Sequence, residues 1–475
     1  MVSFIVSLVV LVLGYLIYGK FVEKVFGADP KRKTPAVEKE DGVDFVSIPW
    51  YKAFMIQLLN IAGLGPIIGG IMGVLYGTSS FIWIVLGSIF AGAVHDYFSG
   101  MMSLRHNGQS ISEVTGNYLG NFMRQFMRVF SVILLVFVGV VFILGPSNLL
   151  ANMGMGGIFN LSWVWLVIIL AYYFFATIVP VDKIIGRIYP IFGGALLFMA
   201  IGIGVMLMVN SGTNPIPEIQ LSNLHPNGLP IWPLMFITIA CGAISGFHST
   251  QSPIMSRCIK NEKYGRPVFY GAMIAEGVIA LVWAAAAATF FGGVDGLNGI
   301  IAEGGWAVVV NKVSIGLLGP VGGILAVLGV IACPITSGDT AFRSARLTIA
   351  DSFKFDQNPI KNRLLLAIPL FIIAVVITRL EWQVIWRYFA FSNQTLAAIV
   401  LWTSAMYLAK NKKLHWIATI PATFMTAVCT TYILMAPEGF ELATTIAYPV
   451  GIVAAVATFC AFVFYLIPKA NKSKA

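Results

Sequence analysis

Thirteen separate stretches of this chain are apolar for long enough to cross about 30 Å of hydrocarbon. They fall near residues 2–20, 53–76, 80–102, 126–147, 160–180, 189–210, 231–252, 268–292, 319–341, 363–379, 383–408, 415–436 and 444–467. Inside a bilayer each backbone N–H and C=O must be paired within the chain, so runs of this kind become helices. The expectation is therefore an all-α polytopic membrane protein with about thirteen transmembrane helices. Charged residues make up only 11% of the 475 residues, against about 25% in a soluble domain. So few charges cannot cover a water-facing surface, and the stretches between the runs are too short to form a soluble domain. The first run, Val2 to Tyr18, lacks a basic leader and a small-x-small cleavage site. It reads as a retained helix and not a signal peptide. A shorter apolar stretch, Trp306 to Leu318, carries Lys312 and reads either as an interfacial helix or as part of the following span.

The net charge of +10 is a matter of topology and not of nucleic-acid binding, because the basic residues occupy alternate loops. Lys20, Lys24, Lys31, Arg32, Lys33 and Lys39 follow the first run. Arg105, Arg124, Lys183, Arg187, Arg257, Lys260, Lys263, Arg266, Arg343, Arg346, Lys354, Lys361, Arg363, Lys410, Lys412 and Lys413 lie in later loops of the same parity, with Lys469, Lys472 and Lys474 in the tail. The opposite loops are almost free of base, with Arg379 and Lys312 as the exceptions. Basic loops stay cytoplasmic, which predicts an outside N-terminus and a cytoplasmic C-terminus in the cell (plasma or inner) membrane. The five cysteines form no C-x-x-C pair. They read as small apolar residues, and no disulfide framework, metal site or cofactor is expected.

Two spans are unlike plain lipid-facing helices. The second contains NIAGLGPIIGG, with Asn60, Gly63, Gly65 and Pro66; the seventh contains CGAISGFHSTQSP, with Gly242, Ser245, Gly246 and His248. Glycines of the G-x-x-x-G kind can serve close helix packing, which suits Gly69 to Gly73. Pro66 removes a backbone donor and crowds the preceding turn, so unwinding is the other reading, and an unwound stretch survives in a bilayer only where it lines a polar cavity. The two spans are five apart and so cross in opposite directions, as an inverted repeat of five helices requires. The expected organisation is a first peripheral helix and basic loop (1–49), repeats over 50–210 and 231–409, and two added C-terminal helices (410–475).

Polar residues within spans are costly and mark function. His95 and Asp96 are placed at the inner end of the third span, and Ser337, Asp339 and Thr340 at that of the ninth. Asn393 and Gln394 lie in the eleventh, with Arg387 near its start, and Glu276 is deeper in the eighth. A lone carboxyl at the depth of Glu276 favours its neutral form, which suits a proton carrier; Arg387 or unwound backbone could instead keep it charged. His95, Asp96 and Asp339 could equally be caps or local pairs, Asn393 and Gln394 helix-bridging groups, and Ser337 and Thr340 either caps or oxygen ligands for a coupling sodium. At a break, the free N–H groups of the outer half-helix suit a carboxylate and the carbonyls of the inner half suit a cation. Asn60, Gly63, Gly65, Pro66, Gly242, Ser245, Gly246, His248, Asn393 and Gln394 are thus the substrate-site candidates, and Glu276, Asp96, His95, Ser337, Asp339 and Thr340 the ion- or proton-coupling candidates. Enzyme readings fail: H-E-x-x-H and the G-x-x-x-x-G-K-[ST] loop are absent, and Thr336 before Ser337-Gly338-Asp339 rules out G-x-G-D. A channel, or a nutrient-sensing membrane protein without coupled transport, is the alternative, since broken helices also build pores.

The segments DGVDFVSIPW, NIAGLGPIIGG, AGAVHDYFSGMMSLRHNGQSISEV, HSTQSPIMSRCI, GAMIAEGVIALVWAA, TSGDTAFRSAR and WRYFAFSNQTLAAIVLW, in order between Asp41 and Leu408, resemble the carbon starvation protein A (CstA) family, in a compact-length form. The resemblance implies a LeuT-like (APC-type) core of 5+5 inverted repeats with extra terminal helices. It also implies proton-coupled import of peptides during carbon or nutrient starvation, or of pyruvate in some members, with sodium coupling less expected. It assigns no role to individual residues.

Overall fold

The computed structural model describes the chain except residues 42–44, 154, 179–180, 358 and 473–475. Part of the DGVDFVSIPW segment, the end expected for the fifth span and the tail charge Lys474 fall outside the described residues, as do the side chains of Lys183, Arg187 and Lys472. The described residues form helices connected by short loops, with no strand among them and a lone bridge between Ile48 and Ile259.

Among the described residues, nine helices and one bent pair are long and apolar enough to cross a membrane by length and composition. The chain path completes the set. Val294–Leu325 leaves helical geometry at Gly304, Gly305 and Gly319, so it does not run straight through. Its middle part, from Trp306, is a separate helical piece on one face, where Lys312 pairs with Glu303 at 3.2 Å. The ninth span begins beyond Gly319 and continues through Ala326–Ala332 and Cys333–Phe353. Ser162–Ile178 and Trp382–Lys410 are helices where the sequence places the fifth and eleventh spans, and the interrupted pair Ile231–Thr238 and Gly246–Ser256 stands where it places the seventh. The described residues thus form an all-helical bundle with a helix or broken helix for each of the about thirteen expected spans.

Contacts between loops fix which ends share a face. The Met1 ammonium donates to Glu218 at 2.7 Å and to Ile216 O at 2.7 Å, so the N-terminus lies beside the base-poor 210–230 loop. On the opposite face, Arg105 pairs with Glu262 at 2.9 Å, Asn261 donates to Pro30 O at 2.7 Å, and Lys413 donates to Phe26 O. This is the segregation of loops that the charge pattern predicts. The basic face also carries a short helix that the apolar count passes over, Ile111–Leu119, bound to the fourth span by Glu113 with Arg124 and Arg128.

The apolar pattern also sorts the helices. Fully buried side chains such as Trp283, Phe247 and Phe389 fill the centre, while the last span turns Ile452, Val453, Val456 and Phe464 outward. An exposed row of that kind is what a lipid-facing helix needs. The interior is instead rich in polar groups, and these sit where the second and seventh spans lose their helices.

Candidate functional site

In the second span, Trp50–Ile61 ends and Leu64–Gly73 begins after only Ala62 and Gly63, with a bend of 51°. Pro66 is not at the break. It occupies the first turn of the second half, where a missing N–H leaves no intrahelical bond unmade. The seventh span is opened further, with seven residues, Ile239 to Ser245, between its two helices. Gly242 is the residue that lets this segment turn. Its φ is +89°, and an added Cβ would lie 2.4 Å from the Ala280 Cβ. Gly65 faces the same segment, with a Cβ position 2.5 Å from the Cys241 side chain. The glycines therefore serve both readings of the sequence: they pack the two broken spans together and permit the unwinding.

Opened backbone must be paired by something else. Asn393 supplies much of it: its Nδ2 donates to Ala240 O at 3.0 Å, and its Oδ1 accepts from Phe247 N at 2.7 Å and Ser245 Oγ at 3.1 Å. Gln394 Nε2 donates to Phe236 O and Ile239 O at 3.2 and 3.4 Å. Glu276 Oε1 accepts from Gly242 N at 3.1 Å. Unwound backbone is thus the hydrogen-bonding partner of Glu276, and Arg387 lies on the base-poor face, paired with Glu438 at 3.0 Å. Gly246 opens the second half of the seventh span, so close to the eleventh that a Cβ would sit 2.4 Å from Asn393 O.

A line of four titratable side chains leads into this segment, each with 0% exposure. His95 Nδ1 lies 2.7 Å from Asp96 Oδ1, Asp96 Oδ2 lies 2.9 Å from His248 Nδ1, and His248 Nε2 lies 3.3 Å from Glu276 Oε2. The sequence reading puts His95 and Asp96 at the inner end of the third span, but they lie well before its end. The span runs on to Arg105, which carries His95 and Asp96 away from the boundary and into the core. The ninth span likewise extends to Phe353. Ser337 is therefore interior and donates to Leu59 O at 2.9 Å, capping the first half of the second span. Thr340 donates to Ser337 O at 2.8 Å, and Asp339 pairs with Arg343 at 3.5 Å.

Asn60 is buried in the last turn before the first break, its Oδ1 without a hydrogen-bond partner among the described residues. Gly63 lies at that break, against Phe142. Sequence reasoning passed over two residues of the same kind. Gln57, one turn earlier, is fully buried with both side-chain polar atoms unmatched, and Gln251 Oε1 is unmatched on the second half of the seventh span. The available signal was their position, one helical turn from Asn60 and His248 respectively. Below them, toward the basic face, a cleft of about 50 Å³ opens among Thr250, Pro253, Ser344 and Asp351.

Two discontinuous helices meeting at a polar, buried centre are the hallmark of the LeuT-like fold. A manganese transporter of Eremococcus coleocola has the same fold, with TM-score 0.53 at 13% identity over 91% of this chain and 99% of that one. Mhp1, a nucleobase-cation-symport-1 family transporter in a closed conformation, gives TM-score 0.52 at 13% identity over 89% and 93%. The family model described as carbon starvation protein CstA matches residues 1–162, 155–302 and 294–432, and the chain belongs to the CstA family. An uncharacterized membrane protein of Haemophilus influenzae is 44% identical over 353 residues, 64% of this chain and 95% of that protein. The peptide transporter CstA of Bacillus subtilis is 30% identical over 348 residues, 59% of this chain and 57% of that one. The pyruvate/proton symporter BtsT of Escherichia coli is 27% identical over 342 residues, 58% and 47%.

Proposed function

We propose that this transporter imports peptides together with protons across the cell membrane, as a response to carbon or nutrient starvation. The N-terminal face is outside and the basic face cytoplasmic. The repeats run over 50–210 and 231–409, with residues 1–49 and 410–475 as peripheral additions. The observation that carries the proton is the buried run His95–Asp96–His248–Glu276, which ends on the N–H of Gly242. Burying four titratable groups costs several kcal/mol for each ion unless all are paired, and groups kept at that cost within a membrane serve transfer. A proton moving onto Glu276 weakens its hold on Gly242 and so reaches the unwound segment directly.

The substrate carboxylate is held by the free N–H groups where Leu64–Gly73 begins, with Asn60, Gly63, Gly65, Pro66, Ser245, Asn393 and Gln394 around it. Gln57, through both its amide atoms, and Gln251, through Oε1, offer unmatched groups for the rest of the molecule. The names of the Bacillus subtilis and Escherichia coli relatives support a peptide or pyruvate as cargo. Peptide is preferred, because a row of unmatched amides suits a substrate with amide groups of its own. Protons are preferred to sodium because the buried His95–Asp96–His248–Glu276 run supplies groups that take up and release them.

The test is uptake into proteoliposomes under an imposed inward proton gradient, competed by dipeptides and by pyruvate. Gradient-driven, saturable accumulation that dipeptides block is expected, and Glu276→Gln abolishes its dependence on the gradient. Competition by pyruvate alone would move the assignment to a monocarboxylate symporter. Unsaturable flux without accumulation would make the chain a channel.

A further inference from the structure

A third side chain reaches the His248–Glu276 pair. Cys241 Sγ, His248 Nε2 and Glu276 Oε2 all lie within 4.8 Å of one another, and all three residues are buried. The nitrogen and the carboxylate oxygen face each other at 3.3 Å without a hydrogen bond joining them. In a tetrahedral zinc site, bonds of about 2.0–2.3 Å place ligand atoms roughly 3.3–3.6 Å apart. The His–Glu spacing is already of that size.

The surroundings are those of a metal ligand set. His248 turns its other nitrogen to Asp96 Oδ2 at 2.9 Å, the carboxylate–imidazole contact that fixes the tautomer and plane of a metal-bound histidine. Glu276 is oriented through its second oxygen by Gly242 N at 3.1 Å, and Cys241 Sγ lies 3.5 Å from Ser245 Oγ. The three ligands come from the unwound segment, the helix that follows it and the eighth span, so no short motif announces them. Three protein ligands leave a fourth position open.

We propose that Cys241, His248 and Glu276 form a binding site for a thiophilic divalent transition-metal ion of the zinc class. A thiolate, an imidazole and a carboxylate together favour zinc or cobalt over magnesium or calcium. Binding releases the thiol proton and any proton held between His248 and Glu276. The ion and the proposed coupling proton therefore exclude one another at this site. The inference shares residues with the proton reading but is read by binding alone: metal binding without proton coupling would leave the site standing and remove the proposed function, and the converse would do the opposite.

The experiment titrates the purified, tag-free full chain with cobalt(II) in detergent and follows its absorption. One equivalent is expected to give a thiolate-to-cobalt charge-transfer band, which stoichiometric zinc removes. Cys241→Ala abolishes the band, whereas Cys258→Ser with Cys460→Ser leaves it in place, so the assignment does not depend on Cys241→Ala folding. Glu276→Gln and Asp96→Asn weaken cobalt affinity about 10–100-fold with an unchanged elution profile in size exclusion. A saturated wild-type protein without the band, or a band lost only with Cys258 and Cys460, overturns the site.

Discussion

Replacing Asn393 with alanine should release the unwound segment of the seventh span. The side chain holds Ala240 O and Phe247 N at 3.0 and 2.7 Å, one on each side of the seven-residue opening. Neither group has a helical partner to fall back on. A buried backbone group left unpaired costs about 1–3 kcal/mol. Two of them at the lower figure give about 2 kcal/mol, or roughly thirty-fold in the local opening equilibrium. Hydrogen–deuterium exchange of the detergent-solubilised protein reads this directly, as faster exchange over residues 239–247 with little change in the thirteenth span. Gln394→Ala is the internal comparison. Its bonds, at 3.2 and 3.4 Å, are longer, and about 1 kcal/mol or five-fold is expected. If Asn393→Ala stays folded and exchange over 239–247 remains within about two-fold of wild type, the view that this side chain stands in for the missing helix is wrong.

Gly246→Ala should reduce both thermal stability and uptake, since its Cβ would meet Asn393 O at 2.4 Å and Ala397 N at 2.6 Å, backbone that cannot step aside; overpacking of this kind costs about 1–3 kcal/mol. Gly299→Ala, with open space around it, should change neither. Glu262→Gln removes the partner that Arg105 grips through Nε and Nη2 at 3.0 and 2.9 Å. It should lower thermal stability by about 2 kcal/mol or more while KM is unchanged, as measured by melting in detergent and by uptake. Replacing sodium with choline should leave the uptake rate unchanged, and a sodium requirement would show that the Ser337 hydroxyl exchanges its bond to Leu59 O for an ion. At the other face, the N-terminal ammonium holds the exposed Glu218 carboxyl down to about 2 from 4.5. A depressed carboxylate contributes stability above its unfolded value and loses it as pH falls. Protection of the 210–230 loop, corrected for the intrinsic pH dependence of amide exchange, should therefore be flat from about pH 7 to 5 and fall below about 4.5, and an N-terminal extension should lower it across the flat range.

The spans and their segregation into a basic and a base-poor face were legible because both follow from composition along the chain. The two breaks were legible from glycine and proline, but their sizes were not. Pro66 drew attention four residues past Ala62, whereas the wider opening at Ile239 to Ser245 has no proline within it. Depth was the harder quantity. His95, Asp96 and Ser337 were placed at the basic boundary because polar residues mark helix ends in a hydropathy profile. In the folded chain the same polarity marks helices that are shielded from lipid on every side. The meeting of Asp96, His248 and Glu276 depends on three segments about 150 and 30 residues apart in sequence, which no local pattern encodes.

The unequal breaks have a consequence for selectivity. In the seventh span the carbonyls of Phe236, Ile239 and Ala240 and the N–H groups of Gly242 and Phe247 are already solvated, in effect, by Asn393, Gln394 and Glu276. A solute arriving there does not fill a vacancy. It trades places with those side chains, and its affinity is the difference between two sets of bonds to the same backbone atoms. A molecule that merely matches the amide and carboxylate groups gains nothing, and only one that betters them in charge or geometry is retained. The protein thus carries within its own chain the reference compound against which each cargo is weighed.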